Sequence, residues 1–341
     1  MTERYSRLAL FSPIGKKGVE QLRQSAVLIV GAGALGCPNA EMLTRAGVGL
    51  IRLVDRDYVD WSNLQRQPLF DEQDARDVQP KAVAAAKRLS AINSDVRIEP
   101  LVTDVTAENV FALLDGIDVV IDATDNFETR YLLNDAACER RLPWLYGACV
   151  GAYGASLTIV PGETPCLACV FGEDIPAQRE TCDTTGVIAP APQMVASYQA
   201  AEALKLLTHN KKQLRQTLVS FDLWKNENVE IKVGKKRRAN CPVCGKSPVY
   251  PYLSEQKGTS AAVLCGRDTV QIRLRNVRGW DLATVAQAAK SIDPEAVANP
   301  HLVSFRADGC RLVVFRDGRV LVHGTKDAAT ARKLCAKYLG M

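Results

Sequence analysis

Four sets of residues in this 341-residue chain have the types and spacing to do chemistry. The first is Gly31-Ala32-Gly33-Ala34-Leu35-Gly36, directly after the apolar stretch Val27-Leu28-Ile29-Val30. Such glycines permit a tight turn and let the backbone approach a phosphate seated on the following helix N-terminus. Asp55 closes a second strand-like stretch, Leu50 to Val54, about 20 residues on, where an acid bonds ribose hydroxyls. The second set is Asp57, Ser62, Asn63 and Arg66. A planar guanidinium there suits bidentate binding of phosphate charge. The third set is Lys81 with Asp125 and Asn126. Carboxylates near a triphosphate act through Mg²⁺, which takes oxygen ligands. Asp55, Arg66, Lys81 and Asp125 together therefore read as ATP with Mg²⁺ rather than NAD. Asp125-Asn126 also reads as a helix N-cap, and both roles can hold.

The fourth set is cysteine. Cys166-Leu-Ala-Cys169 and Cys241-Pro-Val-Cys244 are two C-x-x-C knuckles about 70 residues apart, suited to tetrahedral Zn²⁺ on four thiolates. Such a site has no open position and is structural. Cys182 stands alone in the polar run Arg179 to Gly186, either as a nucleophile beside arginine or as a partly buried spectator. Cys37, Cys138 and Cys149 fall in helix or strand patterns and read as core, and so does Cys265.

These residues need elements to hold them. Pro38 fits the first turn of a helix that Gly47 ends. Helices over Lys81 to Ala91, Thr106 to Leu114 and Phe127 to Arg140 alternate with strands over Val96 to Leu101, Ile117 to Ile121 and Trp144 to Val150. That alternation specifies a mostly parallel sheet with helices on both faces, and ligands at the carboxyl ends of its strands. Residues 1–25 read as an amphipathic arm and Asp71 to Asp77 as an acidic loop. From Gly151 the pattern changes to alternating strands, with an amphipathic helix over Gln193 to Leu207. Lys235-Lys236-Arg237-Arg238 reads as a solvated loop and Tyr250 to Gly258 as a linker. Beyond it, strand and helix patterns and the hairpin signal Asp317-Gly318 describe a small α+β domain over 259–341.

Composition narrows the function. The chain is 47% hydrophobic with net charge +5, which permits an acidic partner without implying nucleic acid. Its start lacks the apolar stretch of a signal peptide, and no run reaches the roughly 18 apolar residues of a membrane span. Eleven cysteines without a secretory signal point to thiols and metal in the cytoplasm. The three histidines, His209, His301 and His323, all follow the nucleotide signature, which argues against a histidine-based dehydrogenase.

Residues 1 to about 250 resemble the E1-like adenylyltransferases of sulfur-carrier proteins, the MoeB/ThiF family. The resemblance rests on Arg4-Tyr-Ser-Arg7, Gly31 to Gly36, Asp55, Ser62-Asn63-Leu64-Gln65-Arg66, Gln79-Pro80-Lys81, Thr124-Asp125-Asn126, both C-x-x-C pairs and Thr181-Cys182. It implies a Rossmann-like doubly wound α/β fold, continuing into a strand-rich half with a structural Zn site. It further implies ATP-dependent adenylation of the C-terminal Gly-Gly carboxylate of a ubiquitin-like, ThiS- or MoaD-like sulfur carrier in thiamine or molybdenum-cofactor synthesis. The implied ATP site is Gly31, Gly33, Ala34, Gly36, Asp55, Asp57, Ser62, Asn63, Arg66, Lys81, Asp125 and Asn126. In it Asp55 holds the ribose, Ser62, Asn63 and Arg66 the phosphates, Lys81 the α-phosphate region and Asp125 the Mg²⁺. Arg7 is implied to enter the site of a second copy, hence a homodimer. A cysteine desulfurase or other sulfur donor is a further implied partner. The family position of Cys182 is covalently used in some members and dispensable in others. Ala34 departs from the third glycine-type residue of many members, and residues 259–341 lack the family's rhodanese pattern. The alternatives are a same-fold ligase or dehydratase acting on a peptide or tRNA base, an NAD-dependent oxidoreductase, and a non-catalytic scaffold.

Overall fold

The computed structural model describes residues 3–173, 182–234, 237–254, 261–263, 268–273 and 279–340, with the backbone alone at 182–183 and 261–263. The chain forms two compact units. The first holds residues 1–57, 61–71 and 81–258, and the second holds 58–60, 72–80 and 259–341.

The first unit is built on an eight-stranded sheet. Its strands are β1 (Ala26–Val30), β2 (Leu50–Val54), β3 (Arg97–Leu101), β4 (Val119–Asp122), β5 (Trp144–Val150), β6 (Tyr153–Ile159), β7 (Thr217–Asp222) and β8 (Glu227–Lys232). Their order is β3-β2-β1-β4-β5-β6-β7-β8. The first five pair parallel and the last three antiparallel, the mostly parallel sheet with a strand-rich extension expected from the sequence. Parallel strands need crossovers, and helices supply them. The helices in chain order are α1 (Ser6–Leu10), α2 (Gly15–Gln24), α3 (Gly36–Ala46), α4 (Glu72–Arg76, in the second unit), α5 (Lys81–Ile92), α6 (Val110–Leu114), α7 (Phe127–Arg140), α8 (Leu167–Phe171), α9 (Cys182–Thr185) and α10 (Pro190–Leu207). β1 is buried along its whole length, as a central parallel strand must be.

Helices cover both faces. A Cβ on Gly154 would meet Val195 of α10, whereas its neighbour Ala155 enters the cluster formed by α6 and α7, so alternate β6 residues serve opposite layers. α10 packs on α3, and its buried residues include Gln199 and Glu202; burial on both sides replaces the amphipathic face read from the sequence. Two other stretches differ from expectation. The acidic loop at 71–77 contains α4, where Arg76 pairs with Glu72 one turn before it. Within the stretch read as a linker, Tyr252 stacks on Tyr131 with ring centroids 5.0 Å apart, and its N–H donates to Asp135. Residues 255–260 and Cys265 lie outside the described residues.

The second unit carries a six-stranded antiparallel sheet in the order β11-β12-β13-β14-β10-β9. Its strands are β9 (Ala261–Val263), β10 (Thr269–Arg273), β11 (Val297–Ala298), β12 (Leu302–Ala307), β13 (Cys310–Phe315) and β14 (Arg319–His323). Asp317-Gly318 makes the β13–β14 turn. α11 (Leu282–Ile292) and α12 (Ala328–Leu339), N-capped by Asp281 and Asp327, pack over one core with Val270, Val303, Leu312 and Val322. Among the described residues, no helix is long and apolar enough to cross a membrane.

Candidate active site

β2 and β4 flank β1, and the chain leaves these three strands in different directions. This is the topological switch point at which open α/β sheets bind ligands. Gly31 has φ +100°, and a Cβ there would stand 2.5 Å from the Ala123 carbonyl oxygen. A Cβ on Gly36 would overlap the Gly31 carbonyl, so the turn closes only with glycine at both positions. Gly33 and Ala34 remain partly open to solvent, leaving backbone available to a ligand. α3 follows at once and ends at Gly47 in the left-handed region, the start and stop read from Pro38 and Gly47.

Asp55 ties the turn to the next strand end. Its Oδ2 accepts from Ala32 N at 2.6 Å and its Oδ1 from Asp57 N at 2.7 Å. Desolvation pushes its carboxyl above the usual carboxylate range, Lys81 opposing and Asp57 adding. The Lys81 backbone N–H donates to Asp57 O at 2.9 Å, and its buried ammonium lies 3.4 Å from the Asp57 carboxylate. Ser62 and Asn63 belong to a 3₁₀ turn over Trp61–Asn63. Asn63 is buried and its carbonyl accepts from Arg66 N and Gln67 N, while the Arg66 guanidinium donates to Ser62 O at 2.6 Å. Asp125 is exposed after the carboxyl end of β4, and Asn126 caps α7 by accepting from Thr129 N at 2.8 Å.

Four residues that the motifs did not single out hold this arrangement. Arg56 lies 3.3 Å from Asp104. Burial pulls its pKa down, but the carboxylates of Asp104, Asp57, Asp125 and Asp55 outweigh that and raise it. The acids after β2 and β4 thus act electrostatically on one cation. Arg130 and Asp122, both buried, form a pair at 3.4 Å beneath the Thr124–Asn126 loop. Arg130 donates to Thr124 O at 2.6 Å and Gly147 O at 3.1 Å, and Asp122 Oδ1 accepts from Thr124 N and Oγ1. Gln67 is buried with its Oε1 unpartnered, and its Nε2 is 3.8 Å from the Cβ position on Gly33. The sequence signal was available in Gln67, which immediately follows the run Ser62 to Arg66; the other three carry none beyond their charge.

Arg7 is exposed on α1. Cys182 opens α9, whose segment is anchored at the end of β5 by Gly151 N donating to Gly186 O at 2.8 Å and Ile188 N to Gly151 O. The Cys182 side chain and residues 174–181 lie outside the described residues.

Cys166, Cys169, Cys241 and Cys244 converge, with all four sulfurs within 4.8 Å of one another. Cys166–Cys241 and Cys169–Cys244 are 3.6 and 3.4 Å apart. A tetrahedron of 2.3 Å Zn–S bonds has edges of about 3.8 Å, so the cluster fits one metal ion. The thiols stand close together, and the Cys166 thiol and burial push Cys244 up to about 12. The described part of the basic run beside it, Arg237 and Arg238, is exposed, as expected of a solvated loop, and also bonds to the knuckles. Arg237 donates to Gly162 O and Cys244 O, and Arg238 to Ala168 O, stitching the knuckles together; Lys235 and Lys236 lie outside the described residues.

A glycine turn at the switch point, acids and a buried lysine beside it, and a separate cluster of four cysteines that could hold a metal ion are the features of this α/β protein. The ThiF family profile matches residues 5–243, and the chain belongs to that family. It is 50% identical over 340 residues, covering 100% of both chains, to the sulfur carrier protein ThiS adenylyltransferase of Bacillus subtilis (strain 168). It is 39% identical over 248 residues to the SAMP-activating enzyme E1 of Haloferax volcanii, covering 72% of this chain and 90% of that one. Over 258 residues it is 38% identical to the sulfur carrier protein adenylyltransferase of Thermus thermophilus, covering 74% and 93%. The solved structure of E. coli MccB with ATP shares the fold, with a TM-score of 0.62 at 23% identity over 72% of this chain and 74% of that chain.

Proposed function

We propose that this chain adenylates the C-terminal carboxylate of a ubiquitin-like sulfur carrier, using ATP and releasing pyrophosphate. The end-to-end similarity to a ThiS adenylyltransferase carries the reading, and the contacts among Asp55, Asp57 and buried Lys81 at the end of β2 support it. The acyl-adenylate serves sulfur transfer for the thiamine pathway or for molybdenum cofactor.

A carboxylate attacking the α-phosphorus is already a nucleophile. The site must align two anions and neutralise charge, for which no strong base is needed. The turn from Gly31 to Gly36 holds the phosphates on the α3 N-terminus, with Gly33 and Ala34 offering backbone N–H groups. Asp55 takes the ribose hydroxyls. Ser62, Asn63 and Arg66 bind the leaving pyrophosphate, for which the Arg66 fork must turn from Ser62 O. Lys81 stabilises negative charge growing at the α-phosphate, and Asn126 keeps the Asp125 loop in place. Mg²⁺ would be held by Asp125, an exposed hard oxygen donor, and would supply positive charge against the phosphates. Arg7 reaches the site of a second copy in a homodimer. Zn²⁺ would be held by Cys166, Cys169, Cys241 and Cys244 and would serve structure rather than catalysis, since four thiolates would complete its coordination. A cysteine desulfurase or similar donor acts downstream, and the reaction is cytoplasmic, where ATP and reduced thiols coexist.

ATP–pyrophosphate exchange tests this directly, with purified protein and candidate carriers that do or do not end in Gly-Gly. Exchange is expected only with an intact Gly-Gly terminus. ATP binding with exchange that ignores every carrier would move the substrate to another carboxylate.

A further inference from the structure

The role of residues 259–341 is not accounted for by the adenylation chemistry. Resting on the adenylation reading, we propose that this part of the chain is a clamp that sets the position of Lys81 and Asp57. Tyr58, His323, Arg311 and Asn299 act as positioning residues for adenylation.

The segment from Asp57 to Lys81 carries most of the proposed phosphate-binding groups. Its tip, residues 61–71, belongs to the first unit, but its two arms, Tyr58–Asp60 and Glu72–Pro80, belong to the second. The arms form a short ladder. Val59 N donates to Gln79 O at 2.8 Å, Tyr58 bridges Pro80, and the next rung is Lys81 N to Asp57 O at 2.9 Å. That last rung joins two residues of the proposed site. Whatever fixes the first rungs therefore fixes the spacing of the Lys81 and Asp57 backbones through covalent neighbours.

Strand residues far along the chain fix those rungs. On β10, β14 and β13, Thr269, His323 and Arg311 lie in one cross-strand row. The row runs toward the first arm. His323 Nδ1 bonds Thr269 Oγ1 at 2.8 Å and its Nε2 bonds the Tyr58 hydroxyl at 2.9 Å, so the buried threonine orients the imidazole that meets the tyrosine. Arg311 covers the Tyr58 ring at 5.0 Å and lies 3.5 Å from Asp60. The second arm is held separately. Val78 has φ +49°, a left-handed conformation that a β-branched residue rarely adopts and that persists only where its surroundings impose it. Asn299 Nδ2 donates to Val78 O at 3.2 Å and Asp77 O at 3.3 Å, while its Oδ1 accepts from His301 N and Leu302 N. A structural decoration of the C-terminal unit would need neither a strained valine nor an oriented histidine on this particular segment.

The test is carrier-dependent ATP–pyrophosphate exchange by the full chain and its variants, with KM for ATP and for the carrier measured separately. Tyr58→Phe keeps the ring under Arg311 and removes only the hydroxyl. His323→Leu removes both bonds of the imidazole. His323→Gln offers an amide that can meet Tyr58. Lys337→Ala breaks the exposed Lys337–Asp308 pair in the same unit and serves as the control. Tyr58→Phe and His323→Leu are expected to lower kcat/KM for ATP about five- to tenfold, the effect of one lost buried hydrogen bond. KM for the carrier should match the control, and His323→Gln should recover most of the loss. Wild-type ATP kinetics in Tyr58→Phe and His323→Leu, or an equal loss in Lys337→Ala, would overturn the clamp. Absence of exchange in the unmodified protein would instead remove the adenylation reading, and it shows before any variant is made.

Discussion

Replacing Arg130 with Met should separate what holds the Asp125 loop from what does the chemistry there. Met keeps much of the side-chain volume and removes the charge, together with both donors to the Thr124 and Gly147 carbonyls. Asp122 is then left fully buried with only Thr124 N and Oγ1 to satisfy it. Breaking a buried pair by removing one member costs about 3–5 kcal/mol, because the remaining charge is uncompensated. The loss should depend on pH. Burial already raises the Asp122 carboxyl above the usual range against the pull of Arg130, and without Arg130 it rises further. A carboxyl whose folded value is raised is favoured in its protonated state. The variant therefore regains stability as pH falls through that raised value and loses it as pH rises. Urea unfolding followed by fluorescence of buried Trp144 at pH 5.5 and 8 should show the larger deficit at pH 8. Exchange activity should fall with the disordered loop. A deficit under about 1 kcal/mol, the scale of an exposed pair, or one equal at both pH values, would refute the reasoning.

Three further outcomes follow from the proposed site. Asp125→Ala and Arg66→Ala should each abolish carrier-dependent exchange without moving the unfolding midpoint, since Asp125 is exposed and Arg66 half-buried; wild-type turnover in either would remove that residue from the site. Cys241→Ser should lower zinc content measured by elemental analysis and the stability of the first unit together, and full zinc occupancy in the variant would show that the metal is held elsewhere. Mixing inactive Arg7→Ala with inactive Asp125→Ala should restore about a quarter of wild-type exchange, because half of randomly reassorted dimers contain one complete site; no recovery after demonstrated subunit exchange would exclude an Arg7 acting across the dimer.

What was legible in the sequence has a common physical origin. Gly31 and Gly36 are required by backbone approach, Pro38 and Gly47 by the ends of one helix, and β1 by burial on both faces, so each leaves its mark within a few residues. The C-x-x-C knuckles were readable for the same reason: two ligands on one tight turn have a fixed spacing, although only the fold brings the two turns within bonding reach. What remained hidden consists of pairs distant along the chain. Glu202 and Gln199 lie inside α10 because α3 and the sheet cover both sides of it, which the helix's own periodicity does not report. Tyr58 meets a histidine 265 positions later, and neither residue belongs to a local pattern.

Arg56 shows why the hidden residues matter to the chemistry. Motifs locate Asp55, Asp57 and Asp125 because acids at the ends of parallel strands face the crevice. Brought together they repel, and the nucleotide proposed to bind beside them is itself an anion. A folded site of this kind requires internal cations before any ligand arrives. Arg56 answers the acids after β2 and the one after β4, and Lys81 answers Asp57 from the start of α5. The two cations differ in what they can later do. Arg56 meets both oxygens of Asp104, at 3.3 and 3.4 Å, and so holds the acids in place throughout. Lys81 meets one oxygen of Asp57, at a similar 3.4 Å, and its point charge can exchange a carboxylate for a phosphate with little rearrangement. On this argument Arg56→Met should lower ATP affinity and stability together, whereas Lys81→Met should leave ATP binding largely intact and slow the exchange step. Isothermal titration with a non-hydrolysable ATP analogue, set beside exchange rates, separates the two. Equal losses of binding and rate in both variants would show that the two cations do the same work.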